Sequence, residues 1–440
     1  MRNTILDAPN IDTTLPDWFL AVRQQGWEEF QALPFPGRKD ELWRFSSLKA
    51  LDLTGFVPAP LIADEREQEI LDRSRGVSHP AGHMVFGNGE LLFRKAIHSE
   101  LRNRGVLFLP LEEAVFQKPE LIKEHFMTQE FRLGSAKLAA LHKANAGAGT
   151  LIYVPRNVEI ELPLEIFHWI DGENTSLFPH TLIVAGENSK VTVLEHFASA
   201  DSKQRGFACS VNDLILGPGA KLTYVSVQDW SENVTSFQIN STVVERDASA
   251  VNMGLNLGAR YARYESASRL RGPGGRSDML AVTVADGEQE FDQRTLQDHA
   301  QPSCTSDLLY KNALSDKSRT IFSGLIKVEE HSHKTDAYQK VRNLMLSEDA
   351  EANSMPGLEI LADDVRCTHG ATSGQIEDEE LFYLLSRGIS ADASRELLVT
   401  GFLNEAIDRL GQSELEDLLR SRVADKFARI KASKAAEIPS

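Results

Sequence analysis

The sequence predicts a mainly β protein whose core is a parallel β-helix flanked by helical domains at both ends. Short β-rich runs follow one another through residues 150–375, and a tight polar turn breaks each of them. They recur at roughly 20–45 residues, a period typical of solenoids. No helical pattern separates them, which disfavours alternating βαβ units. A β-sandwich stays open, because alternation alone does not distinguish antiparallel pairs from stacked coils.

The repeated plan is clearest in two stretches of the core. Residues 181–193 and 214–225 both read as an apolar run, a small polar turn, a lysine and an alternating run. Residues 241–253 repeat the plan without the lysine. We therefore expect each coil to bury one row of Ile, Val and Leu against its neighbours.

Helical patterns dominate the chain on either side of this core. Residues 1–149 form a predicted N-terminal, mainly helical domain, with helices over 111–131 and 134–145. Residues 376–440 form a predicted C-terminal domain of three helices, the last opened by the capping-box residues Ser413 and Glu416. These three helices either cover the terminal coil or form a docking module, and the pattern leaves both roles open.

Charge and composition narrow the classes of function. The chain has 440 residues and a formal net charge of −17, which argues against nucleic acid as the main partner. No apolar run approaches the ~18 residues that a membrane span needs. Residues 1–7 lack the apolar stretch of a signal peptide, so a cytoplasmic protein is expected. Cys209, Cys304 and Cys367 are too few and too widely spaced for a disulfide framework.

Known nucleotide and hydrolase motifs are missing from the sequence. It contains no P-loop, no G-x-G-x-x-G after a strand, no G-x-S-x-G and no H-E-x-x-H. We therefore expect a non-enzyme that neither binds nor hydrolyses ATP and has no catalytic residue of its own.

The strongest chemical candidate is the pair Cys367 and His369. In an extended segment these two side chains point to the same face, and thiolate and imidazole both bind iron, copper or zinc. Two ligands make half a site, so a second protein or a distant residue must complete it. The alternative is structural: Cys367 fills the last coil and His369 caps the first C-terminal helix.

Three other groups are weaker candidates. His331 and His333 also share a face, but neighbouring charges indicate a solvated turn. Cys304 lies in a polar run, where we expect it to be exposed. A basic cluster, without a visible acidic cluster beside it, consists of Arg260, Arg263, Arg269, Arg271 and Arg276.

Five stretches carry a family resemblance: residues 334–339, 342–347, 358–360, 363–375 and 381–389. They resemble the SufB/SufD family of iron–sulfur cluster assembly proteins. The resemblance covers about residues 150–410, and residues 40–45 (Asp-Glu-Leu-Trp-Arg-Phe) are similar to the SufD branch. SufB-like chains carry Glu-His-Glu where this one has Thr368-His369-Gly370, and a cysteine where residues 347–352 have none.

The resemblance implies a right-handed parallel β-helix in a cluster assembly complex. It implies pairing with a SufB-like scaffold subunit and binding of a SufC-like ABC ATPase through the C-terminal helices, with ATP only on that ATPase. A homodimer is the alternative when the chain is alone. The histidine matching His369 lies at the subunit interface in the family, so His369 and Cys367 are the predicted metal ligands for a transient cluster or iron.

The resemblance also implies a flavin, and two rival functions stay open beside it. Reduced flavin accompanies such complexes, but no residue here can be assigned to it. The rival from the enzyme class is a β-helix polysaccharide lyase, which needs acidic calcium ligands and a basic catalyst along one groove. The other rival is a purely architectural subunit in which His369 has no ligand role.

Overall fold

The computed structural model describes residues 4–9 and 14–437, with side chains up to residue 435. Residues 1–3, on which part of the signal-peptide argument rests, lie outside this range, as do the last three residues of the predicted C-terminal domain. The helices are α1 (Asp17–Ala32), α2 (Asp64–Arg73), α3 (Ser99–Asn103), α4 (Leu111–Gln117), α5 (Pro119–His125), α6 (Ala136–Asn145), α7 (Asp378–Ser386), α8 (Ala391–Ile407) and α9 (Ser413–Glu437).

Twenty-one strands are described. The first ten are β1 (Val57–Pro58), β2 (Gly82–Gly87), β3 (Glu90–Lys95), β4 (Leu107–Pro110), β5 (Gly149–Val154), β6 (Leu164–Ile170), β7 (Thr175–Leu177), β8 (His180–Ala185), β9 (Lys190–Ser199) and β10 (Arg205–Leu216). The others are β11 (Lys221–Asp229), β12 (Asn233–Val244), β13 (Ser249–Asn256), β14 (Tyr261–Leu270), β15 (Arg276–Ala285), β16 (Glu290–His299), β17 (Thr305–Leu314), β18 (Arg319–Val328), β19 (Asp336–Met345), β20 (Glu351–Ile360) and β21 (Arg366–Gly374).

The strands form a β-solenoid of about eight turns, which confirms the predicted fold class. Strands alternate between two sheets. Sheet A has the order β20-β18-β16-β14-β12-β10-β8-β5-β4, and sheet B has the order β21-β19-β17-β15-β13-β11-β9-β6-β2-β3. Pairing along the solenoid is parallel, and the N-terminal strands β3 and β4 add antiparallel pairs at its start. The β-sandwich alternative is therefore wrong.

The tight polar turns of the sequence form one stacked corner of the solenoid. A residue with a left-handed backbone sits there in coil after coil: Asn157, Asn188, Gly219, Asp247, Gly274, Ser303, Lys334 and Asp364. Asn, Asp and Gly tolerate this conformation best. Its amides bond to the following coil; for example, Asn188 N donates to Pro218 O over 2.8 Å. The turn residues thus hold the coils in register as well as reversing the chain.

The interior of the solenoid is less apolar than the expected row of Ile, Val and Leu. The interior is apolar beside the stacked corner. Further from that corner, the acidic residue Glu195 is fully buried inside the solenoid. His168 Nε2 lies 2.9 Å from Glu195 Oε1, and the hydroxyls of Thr181 and Tyr224 donate to the same carboxylate. Burial alone would raise the pKa of Glu195, but these hydrogen bonds hold it below its ordinary value. The expectation of an apolar row is wrong for this half of the core.

Helices cover the two sheets from outside and leave the last coil uncovered. Helices α1, α4 and α6 pack on sheet A, and α2 packs on β2 and β6 at the start of sheet B. Further along the outer face of sheet B, α8 and α9 pack through residues such as Leu403 and Leu419. The C-terminal helices therefore flank the solenoid and do not cap its terminal coil. None of the helices described within residues 4–9 and 14–437 is long and apolar enough to cross a membrane.

Candidate functional site at the terminal coil

Cys367 and His369 lie on β21, the last strand of sheet B. They pair in register with Ala337 and Gln339 of β19, which are buried inside the solenoid. Strand side chains alternate between faces, so Cys367 and His369 share the face that continues the interior rows. The i, i+2 spacing of Cys367 and His369 in the sequence predicted this shared face. At the end of the stack that face is open, and His369 is exposed.

Cys367 packs where the structural alternative placed it, but His369 does not. Cys367 contacts the cluster of Ile326, Val328 and Ala337, and this partial burial raises the pKa of its thiol, with the nearby Asp336 carboxylate adding to the effect. The thiol is therefore protonated at neutral pH until a metal displaces the proton. His369 caps no helix, because it is part of β21 and the next helix, α7, begins only at Asp378.

The terminal coil exposes both strand edges and core surface. Within the described residues, β20 and β21 each have a hydrogen-bonded neighbour on one side only. Leu358 and Ile360 of β20 are in register with Ile326 and Val328, which are completely buried. Yet Leu358 is 38% and Ile360 40% exposed. An open strand edge beside uncovered core residues is a surface on which another chain can pair.

The predicted ligands stand without further protein ligands beside them. In the part of the chain that the structure describes, no three His, Cys, Asp or Glu side chains converge to hold a metal ion. Cys367 and His369 thus offer two donors from this chain. His333 is exposed in a turn, with Nδ1 2.8 Å from Asp363 O, which agrees with the solvated-turn interpretation. Cys304 is buried, so the expectation that it is exposed is wrong.

The basic cluster is fully paired with acidic side chains, contrary to the sequence expectation. The ion pairs are Arg260–Glu288, Arg263–Glu265, Arg263–Asp292, Arg269–Asp298, Arg271–Glu245 and Arg276–Asp278. Four of these six pairs join residues 26–29 positions apart on neighbouring coils, which the sequence does not reveal. Glu265 and Asp278 are only two residues from their arginines, but isolated carboxylates of this kind do not form an acidic cluster in the sequence. Since its arginines balance these carboxylates, the cluster does not supply the basic groove that the lyase alternative requires.

One of these arginines anchors residues 40–47, which we call the N-terminal strap. Arg263 is fully buried and binds Asp292, and its guanidinium stacks 4.1 Å from the Trp43 ring centroid. Arg294 binds the same carboxylate, to which Ser46 also donates. Burial alone would raise the pKa of Asp292, but the two guanidiniums hold it below its ordinary value.

The C-terminal helix α7 presents an apolar surface to solvent. Every side chain of this fully described helix is at least partly exposed, and Phe382 is 71% exposed. Tyr383, Leu385 and, on α8, Leu397 are exposed as well. The second half of α8 is buried against sheet B, so α7 extends from an anchored helix. Such an unpartnered apolar face is typical of a protein-binding surface.

Comparisons with known proteins agree with this architecture. Residues 8–166 match the SufBD protein N-terminal region, and residues 168–402 match the SUF system FeS cluster assembly SufBD core domain. Together they span most of the chain.

Individual relatives point the same way. The iron-sulfur cluster assembly protein SufD of Bacillus subtilis is 31% identical, over 90% of this chain and 91% of its own length. SufB of the same organism is 25% identical over 88% and 85%. A SufBD family protein of Pyrococcus horikoshii is 28% identical over 88% of each chain. With its β-solenoid, flanking helices and matching domains, this chain belongs to the SufBD family of iron–sulfur cluster assembly proteins.

Proposed function

We propose that this chain is the non-ATPase subunit of an iron–sulfur cluster assembly complex that pairs with a SufB-like scaffold through its terminal coil. The observation that carries the proposal is the open end of the solenoid, where Leu358 and Ile360 expose the core beside two unpaired strand edges. A partner of the same fold would extend both sheets by adding its own edge strands. Pairing would then cover these side chains and continue the stack. In isolation, the same surface favours a homodimer.

This pairing would place His369 and Cys367 at the seam between the subunits. Iron or a nascent cluster is the cargo of such a complex, and imidazole and thiolate are ligands that iron accepts. The remaining ligands would come from the partner subunit. The raised pKa of the Cys367 thiol means that its binding to iron releases a proton, so loading through this sulfur weakens as pH falls. His369 is more accessible and is the better first contact for incoming iron.

The exposed apolar face of α7 and the start of α8 suits a SufC-like ABC ATPase. This chain lacks a P-loop, so ATP would bind on the ATPase alone. α8 is tied to sheet B by Glu405, whose carboxylate accepts from buried Lys311 of β17 and lies 3.6 Å from Arg342 of β19. ATP-driven ATPase dimerisation would pull on α7, and α8 would pass this force to the strands before the terminal coil. The junction would open and admit iron or sulfide to His369.

One co-expression experiment tests both docking surfaces at once. This chain is co-expressed with the SufB-like and SufC-like proteins of its own organism and purified by a tag. In one variant Leu358 and Ile360 are both replaced by Lys, which opposes edge pairing. In the other Phe382→Asp places a charge on α7. The first variant should lose the SufB-like subunit and keep the ATPase, and the second should do the reverse, so each is the control for the other.

Either of two results would contradict the proposal. If both variants retain the SufB-like subunit, the terminal coil is not the pairing surface. If Phe382→Asp retains the ATPase at wild-type stoichiometry, the α7 surface has another role. The melting temperature of each variant is the control for folding. A value within about 2 °C of wild type, as is usual for surface substitutions, shows that the variant is still folded.

A further inference from the structure

The N-terminal strap runs across the outer face of sheet A toward the terminal coil. Arginines on successive strands hold successive carbonyls of the strap: Arg263 on β14 binds Leu42 O, Arg294 on β16 binds Arg44 O, and Arg319 on β18 binds Phe45 O. Each contact lies one strand closer to the open end of the sheet. The strap thus reaches β18, the neighbour of β20.

Phe45 has an unusual backbone and an unusual exposure. Its φ is +66°, in the left-handed region that bulky side chains avoid, and the residue is 44% exposed. The next two residues fix the Phe45 backbone in this conformation. Ser46 Oγ donates a hydrogen bond to Asp292 over 2.5 Å, and Ser47 N donates one to Glu290 over 2.8 Å. Buried contacts therefore hold an aromatic ring at the surface in a strained conformation. Strain of this kind concentrates at functional positions.

Phe45 is linked through Arg319 to the strand that offers the open edge. Arg319, which holds the Phe45 carbonyl, also has its Nε 3.8 Å from the carboxylate of Glu351, the first residue of β20. Neighbouring strands are about 4.8 Å apart. A strand added to β20 would therefore lie about 10 Å from β18, within reach of side chains on the outer face of both subunits. Leu42, another exposed apolar residue of the strap, is held at β14, two strands further from this edge.

We propose that Phe45 is a second contact for the SufB-like subunit that pairs with β20. The inference rests on the proposed terminal-coil pairing and adds a surface outside the strand edge. The occupant follows from continuity: Arg319 contacts both the Phe45 carbonyl and Glu351 at the start of β20, so a chain seated on that edge lies next to the strap. Aromatic side chains are enriched in protein interfaces, and Arg44, 5.1 Å from the Phe45 ring centroid, supplies a polar rim.

Binding of the purified SufB-like subunit to variants of this chain tests the inference. Phe45→Asn removes the ring but keeps a residue that tolerates the left-handed backbone, so folding is preserved. We expect it to raise the Kd for the SufB-like subunit by about tenfold, the loss typical of an interface anchor, with an unchanged melting temperature. Phe45→Tyr should bind within about twofold of wild type, because an aromatic ring at the same place preserves the contact.

The matched control is Phe116→Asn. Phe116 is 56% exposed on α4, which packs against the first coils of the solenoid, at the end opposite the terminal coil. This variant should bind like wild type. Equal Kd values for Phe45→Asn and wild type, or equal losses in Phe45→Asn and Phe116→Asn, overturn the inference.

The outcome also separates this inference from the proposed function. If the Lys variant of Leu358 and Ile360 loses the SufB-like subunit while Phe45→Asn binds normally, the terminal-coil pairing stands and the strap contact is wrong. If the wild-type chain itself does not bind the SufB-like subunit, the pairing fails and the strap contact fails with it.

Discussion

Replacing Asp292 with alanine is expected to lower the free energy of unfolding by roughly 3–5 kcal/mol, as when one partner of a buried ion pair is removed. The reason is that Asp292 is the shared acceptor for two buried cations, Arg263 and Arg294, and for Ser46 of the strap. Without its carboxylate, both guanidiniums keep their burial and lose their main counter-charge. Urea unfolding monitored by far-UV circular dichroism measures the change.

The matched control is Glu288→Ala, which removes the exposed partner of exposed Arg260. Because such surface pairs are screened by water, this variant should unfold at the same urea concentration as wild type. An Asp292→Ala midpoint equal to that of wild type would show that the Asp292 network does not stabilise the fold.

The sign of the pH dependence follows from the lowered pKa of Asp292. A carboxyl whose folded pKa lies below its unfolded value of about 3.9 stabilises the fold above that pH and loses its contribution as pH falls through the folded pKa. The difference in unfolding free energy between wild type and Asp292→Ala should therefore be constant near neutral pH and shrink below about pH 4.

Replacing His369 with alanine is expected to abolish most cluster formation in the assembled complex while leaving its composition and melting temperature unchanged. His369 is exposed on the outermost strand, so its removal creates no cavity and breaks no packing. In the proposed complex it donates the imidazole that first meets iron at the seam. The visible absorbance of the anaerobically purified complex reports bound iron–sulfur cluster.

His333→Ala is the control for this prediction. His333 is also exposed, in the turn before β19, and its contact is to a backbone carbonyl of the next turn. It should load clusters like wild type. Normal cluster absorbance in His369→Ala would favour the architectural alternative, in which this chain supports the partner and contributes no ligand.

Much of the fold could be predicted because the coils of a solenoid repeat short-range signals. Strand alternation and turn residues such as Asn188 and Asp247 are local, and the structure stacks them at one corner. The same alternation does not tell which face is interior. The burial of polar residues such as Glu195 and Asn212 in a hydrogen-bonded network therefore has no signal in the strand pattern.

The site was predictable only in part, for a physical reason. The i, i+2 spacing placed Cys367 and His369 on one face, but their exposure depends on where the stack ends and on what covers it. That depends on α8 and α9 packing along sheet B, a long-range contact with no local signal. Likewise, the apolar residues of α7 have the spacing of a core helix, and only the structure shows that Phe382 is exposed.

Hydrogen–deuterium exchange of this chain, alone and with the SufB-like subunit, tests the central claim most directly. Pairing at the terminal coil predicts that amides of β20 and β21 exchange quickly alone and become protected in the complex, while the outer strand β3 at the opposite end of sheet B is unchanged. Protection confined to β3 or to the N-terminal helices, with β20 and β21 unaffected, would contradict the account.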